Sequence, residues 1–145
     1  MLALVIQVAE ERFVVPAARV AEVLPRVQLA PVPRAAAWHA GLFSYRGSAL
    51  PVMDLSRRLR DERCTTRLGN RVLVVDVPRP SGVERWGLLV EQVLQVRDVE
   101  DAEALGQGRV VGLGEGELLQ VLDLEALLDA GEARALDGAA RAEVP

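Results

Sequence analysis

With 145 residues, half of them hydrophobic and only 3% aromatic, the chain has enough apolar side chains for one compact domain, or two very small ones sharing a core, and is too apolar to be disordered. A net charge of −4, with all 17 basic residues arginine, argues against a generic nucleic-acid binder, which needs a strongly basic face. The single cysteine, Cys64, rules out an internal disulfide, and no stretch approaches the ~20 apolar residues of a membrane span, so a cytoplasmic location is expected.

In chain order, short apolar runs rich in valine and bounded by Gly, Pro or charge read as strands: 2–8, 13–15, 41–53, 71–77, 85–90, 109–113 and 117–122. The run 41–53 is broken at Arg46-Gly47-Ser48, which predicts a tight turn with Gly47 at positive φ. In 52–59 and 121–128 an Asp follows a strand and precedes leucines four apart, so Asp54 and Asp123 are expected to cap two short helices. Arg57, Arg58, Arg60 and Arg63 read as a solvated face on and after the first helix, and the acidic run Asp98–Glu103 as a solvated loop. The Ala-rich stretch from Ala130 onward reads as a tail without a function of its own.

The two strand–Asp–helix segments are also a repeat. Gly47, Leu50, Val52, Asp54, Leu55 and Leu59 match Gly116, Leu119, Val121, Asp123, Leu124 and Leu128 at a constant offset of 69. Upstream, Phe13, Val20 and Val23 fall on Trp86, Val93 and Val96, with Glu22 on Gln95, at an offset of 73. The chain therefore reads as two similar β-rich copies. At about 70 residues each they are small for independent folding, so they are expected to pack together.

Catalytic constellations are scarce. His39 is the only histidine and no serine sits in a GxSxG setting, so a hydrolase triad lacks its parts. A Cys64–His39 dyad is the one nucleophilic arrangement the composition allows. One Cys and one His do not make a zinc set, and the glycines at 106, 108, 112, 114 and 116 flank a strand with no lysine, unlike a phosphate loop.

The segment GLFSYRGSALPVMDLSRRL (41–59) resembles the CheW signature: a Gly opening a strand, an Arg-Gly turn, then Pro-Val-x-Asp-Leu. FVVPAARVAEVL (13–24) resembles the family's Val-x-Glu element, and WGLLVEQVLQV (86–96) and LLQVLDLEALL (118–128) its later strands and terminal helix. The resemblance spans residues 2 to about 130 and implies a mostly β fold: two pseudo-repeated five-stranded SH3-like barrels with short helices, packed in one domain over 1–130 with interleaved chain, and a tail at 131–145. It implies an adaptor without activity or cofactor, whose partners are the regulatory domain of a CheA-type histidine kinase and the cytoplasmic tips of methyl-accepting chemoreceptors. Carried over by position, Glu22 and Arg46 fall near the receptor groove, and Val20, Gly41, Leu73 and Val96 at groove or inter-barrel positions. Ser44-Tyr45 stand where better-known members carry Asn-Leu, a departure that looks more like adaptors of surface-sensing or pilus systems. The alternative to a coupling protein is a small β-barrel binding module of other specificity.

Overall fold

Four consecutive residues of the first strand, Ala3, Leu4, Val5 and Ile6, are all buried. Since side chains alternate across a strand, that pattern requires an apolar core on each side of the sheet. Ala3 and Val5 join Val14, Val111, Leu119 and Val121 in one core, while Leu4, Ile6 and Val8 join Leu73, Val75, Trp86 and Leu88 in another. The computed structural model from which these positions are taken describes residues 1–105, 108–113 and 116–129. The expected tail at 131–145 lies outside the described residues.

In chain order the strands are β1 (Leu2–Val8), β2 (Glu11–Pro16), β3 (Val20–Pro25), β4 (His39–Tyr45), β5 (Ser48–Asp54), β6 (Arg71–Arg79), β7 (Gly82–Val90), β8 (Gln92–Asp98), β9 (Glu100–Leu105), β10 (Gly108–Gly112) and β11 (Leu118–Val121). Helix α1 (Leu55–Arg60) follows β5, and a second helical segment covers 124–129. One sheet has the order β8-β1-β2-β11-β10-β9 and the other β3-β6-β7-β5-β4. Each curls around its own core: Val5, Val14 and Val111 fill the first barrel, and Val52, Val72, Val74 and Leu89 the second. The mostly β, two-barrel architecture is thus present. The first sheet carries one strand beyond five, namely β9, over residues expected to form a solvated loop. Backbone pairing with β10, from Leu105 opposite Gly108 to Glu100 opposite Gly112, overrides the low strand preference of its acidic residues.

Strand register reproduces the repeat pair by pair. Ile6 opposite Phe13 recurs as Val75 opposite Trp86. Val5 opposite Gln95 recurs as Val74 opposite Glu22, beside a bulge in the same place in each sheet. The parallel pair Val14–Val121 recurs as Gly87–Val52. The two copies nevertheless do not fold as separate barrels. The first barrel combines the β1–β2 hairpin of one copy with β8–β11 of the other, and the second combines β6–β7 with β3–β5. Where the second copy has β9, the first has only a single bridge, Ala30 to Leu42, which accounts for the unequal strand counts.

Between the barrels lies a third core containing Trp38, Met53, Leu55, Leu73, Trp86, Leu88, Leu122 and Leu128. The two helices close it, and both begin as expected. Asp123 Oδ1 accepts the Ala126 N–H at 3.0 Å from an exposed position. Asp54 is 6% exposed and does more: Oδ1 accepts the Arg57 N–H (3.3 Å) and Oδ2 the Cys64 N–H (3.0 Å), tying the helix start to the loop beyond its end. Asp123→Ala is therefore expected to cost roughly 0.5–2 kcal/mol, the range for a lost cap. Asp54→Ala also strands a buried N–H and should cost about 1–3 kcal/mol beyond the loss of its cap. Parallel thermal melts check the order; a more damaging Asp123→Ala would refute the double role of Asp54.

Candidate functional site

Strands β4 and β5 are joined by a two-residue turn in which Arg46 and Gly47 both have positive φ, 50° and 84°, with Tyr45 paired to Ser48. This is the left-handed hairpin geometry that matches strand twist. Glycine adopts it freely; arginine does so rarely. Here the arginine is held by what it meets. Its Nη2 lies 3.0 Å from Glu22 Oε1, and its guanidinium sits 5.2 Å from the centre of the Tyr45 ring. The Tyr45 hydroxyl donates to the same Glu22 oxygen at 2.8 Å. Glu22 is on β3 and Tyr45 on β4, the two edge strands of the second sheet, so this bond spans the barrel's closure.

Two further charges complete the mouth. Asp76 on β6 stands directly opposite Arg85 on β7 and accepts from its Nε and Nη2 at 2.6 and 3.1 Å. Arg85 lies 5.8 Å from the Tyr45 ring centre. The hydrogen bonds from Arg85 hold the Asp76 carboxyl below the usual range, while donation to Glu22 pushes the Tyr45 phenol upward. Tyr45 is thus a neutral donor with its ring between the core and two guanidiniums. The Arg46 side chain remains 69% exposed, and an exposed pair of this kind adds only ~0–1 kcal/mol to stability. What the cluster provides is a fixed, mixed-charge rim.

The seam between the barrels lies on the opposite face of β3 from Glu22. Val23 is paired with Leu73, and Val96 with Leu4, both of which face the inter-barrel core. Cross-strand partners share a face, so these two valines, equivalent in the repeat, lie at the margin of the seam, one from each barrel. They are 42% and 57% exposed. Val20 lies deeper, partly buried against the inter-barrel core. Of the six residues singled out in the sequence, Glu22 and Arg46 meet directly, and Val20 and Val96 lie on the face bordering the seam. Gly41 and Leu73 are not on the surface. Gly41 is buried where the backbone at Ala30 crosses it, and Leu73 is 0% exposed between the barrels. Asp76, Arg85 and Val23 escaped the sequence reading. The signal for Asp76 was a charged residue in the 72, 74, 76 series of an otherwise apolar strand.

The family model described as CheW-like domain matches residues 2–132. The chain belongs to the CheW-like family. Protein FrzA of Myxococcus xanthus is 31% identical over 143 residues, covering 90% of this CheW-like chain and 86% of that protein. The crystal structure of the scaffolding protein TtCheW from Thermoanaerobacter tengcongensis has the same fold, with a TM-score of 0.73 at 20% identity over 87% of this chain and 90% of that one.

The nucleophilic dyad considered for the sequence is not assembled in this CheW-like structure. Cys64 is 2% exposed, and burial first, then the nearby Asp54 charge, pushes its thiol up to about 11, so it stays protonated at neutral pH. Its Sγ contacts the Thr65 carbonyl oxygen at 3.8 Å. His39 stacks with Trp38 and meets the edge of Trp86, each at 5.9 Å between ring centres, and burial lowers its pKa. No group of three or more His, Cys, Asp or Glu side chains able to hold a metal occurs among the described residues. Nor is any helix among them long and apolar enough to cross a membrane.

Proposed function

We propose that this CheW-like chain is a non-catalytic cytoplasmic adaptor that couples methyl-accepting chemoreceptors to a CheA-type histidine kinase in a bacterial signalling array. The observation that carries the reading is the Glu22–Tyr45–Arg46 cluster at the mouth of the second barrel, with the exposed seam valines on the other face of β3. The exposed seam valines suit a receptor helix, which inserts side chains at i, i+3 and i+4, and the charged cluster at the barrel mouth offers a second, polar contact. Weak contacts of this kind gain strength when many copies are held in a lattice, because tethering raises effective concentration. Receptor packing then biases the kinase between states through differential contacts, with no bond made or broken in the adaptor. Tyr45, in place of the leucine of better-known members, alters the rim itself and supports a surface-sensing or pilus output over a flagellar one.

The test is charge reversal in a reconstituted receptor–kinase assembly. Arg46→Glu is expected to leave the melting curve of the exposed turn's barrel in place while reducing receptor-dependent kinase control by on the order of tenfold, about 1.4 kcal/mol of docking energy. The double variant Glu22→Arg with Arg46→Glu restores an internal pair but presents the rim inverted, and it should remain defective. Normal control in either variant would remove the rim from the docking surface.

A further inference from the structure

The second barrel has another end, and it holds a cavity of about 600 Å³ whose lining includes Arg26, Arg57 and Arg63 over apolar Leu29 and Leu89. We propose that this cavity binds a small phosphate monoester. It is separate from the rim just described. His39 and Asp54, which line it, are at one end of the β4–β5 hairpin and Tyr45 at the other, about 20 Å away at strand rise. The inference does not depend on the proposed adaptor role.

Charge accounting points to an anion. Among the described residues Asp54 is the one carboxylate in the lining, and its two oxygens accept the N–H groups of Arg57 and Cys64. Its single negative charge offsets one of the three guanidiniums and leaves the lining net positive. Arg26 donates to Asn70 Oδ1, a neutral amide oxygen, at 2.7 Å. Among the described residues Arg57 pairs with Asp61 at 3.6 Å, whose side chain is 90% exposed. Arg63 has no ion pair among the described residues and is itself exposed. Three arginines against one carboxylate line this cavity on a chain whose net charge is −4, so the positive charge is local.

The kind of anion follows from charge, shape and volume. Guanidinium forks match the oxygens of phosphate, and a phosphate monoester carries about −1.5 to −2 charges, against the single charge of a carboxylate. Inorganic phosphate leaves most of the space empty, whereas sites for small organic ligands run from roughly 300 to 1,000 Å³. Partly buried Leu29, with Val27 and Ala40, gives the ester's organic body an apolar surface to cover.

Isothermal titration calorimetry on the full chain tests this with phenyl phosphate, phenol, inorganic phosphate and a short phosphoserine peptide as probes. Phenyl phosphate is expected to bind about tenfold or more tightly than phenol or inorganic phosphate, with affinity falling as salt rises. Arg63→Gln, a change at an exposed side chain, should keep the melting temperature of the free protein and weaken phenyl phosphate by about tenfold. Arg26→Gln should weaken it as well. Absence of binding at millimolar phenyl phosphate, equal affinity in Arg63→Gln, or inorganic phosphate matching the ester would overturn the proposal. Tighter binding of the phosphopeptide would overturn a small-molecule occupant in favour of a modified protein segment.

Discussion

Leu73→Ala is expected to lower the melting temperature by roughly 10 °C, corresponding to about 2–5 kcal/mol for a leucine truncated in a packed core. Leu73 is wholly buried on β6, the strand between β3 and β7, and it shares the inter-barrel core with Leu4, Ile6, Trp86 and Leu88. Truncation leaves a cavity that neither barrel can close alone, because its walls belong to both. The loss should also be cooperative. Each barrel contains a hairpin from one copy of the repeat and three or more strands from the other, so one barrel cannot melt without removing strands from its neighbour's chain path. Tryptophan fluorescence from Trp38 and Trp86, both in that core, and far-ultraviolet dichroism should therefore report one shared transition at a lower temperature. Kinase coupling should fall only as far as folded protein is lost. A variant with an unmoved melting curve and defective coupling would place Leu73 at a contact surface after all.

That outcome bears on how a sequence reveals a fold like this one. Strands β1 and β6 were readable because burial on both faces leaves a continuous run of Val, Leu and Ile, a pattern few solvated segments share. The β4–β5 turn was readable because Gly47 needs positive φ, although Arg46 adopting it as well was not. Strand β3, alternately half-buried and exposed, is too short and mixed to announce itself, and β9 hid behind its carboxylates. The repeat was legible as two offsets, and the pairing register reproduces both. What the offsets do not contain is which hairpin completes which barrel, since equivalent copies satisfy the same local preferences in either arrangement. The site divides in the same way. Glu22 and Arg46 came from resemblance, and their contact depends on β3 meeting β4 at barrel closure, a relation no local pattern encodes. The Asp76–Arg85 pair is likewise a product of register. Arg57 and Arg63 read as solvent-facing charges because sequence shows their clustering but not the cavity they border with Arg26.

Gly41→Ala is expected to be at least as damaging, by a different mechanism. At φ 136° the residue lies in a backbone region that L side chains rarely adopt, and a Cβ placed there would sit 2.6 Å from the Ala30 carbonyl oxygen and 2.9 Å from Leu29 Cβ. The obstacle is backbone, which cannot rotate away as a flexible side chain can. Strain of about 1–3 kcal/mol for the dihedral and a further ~1–3 kcal/mol for overpacking together predict a loss of roughly 2–6 kcal/mol. Gly47→Ala is the control: its φ of 84° is also positive, but nothing lies within 4 Å of the added carbon, so only the conformational part remains. The steric part should be visible locally as well. Ala30 and Leu42 exchange two backbone hydrogen bonds of 2.8 and 2.9 Å, and the added methyl forces that bridge open, lifting the 28–30 segment from the edge of β4. Hydrogen exchange at the Ala30 and Leu42 amides should accelerate in Gly41→Ala and not in Gly47→Ala. If the two variants melt alike with both amides still protected, the close approach of the chain over Gly41 is absent in solution, and this glycine becomes available again as part of a docking surface.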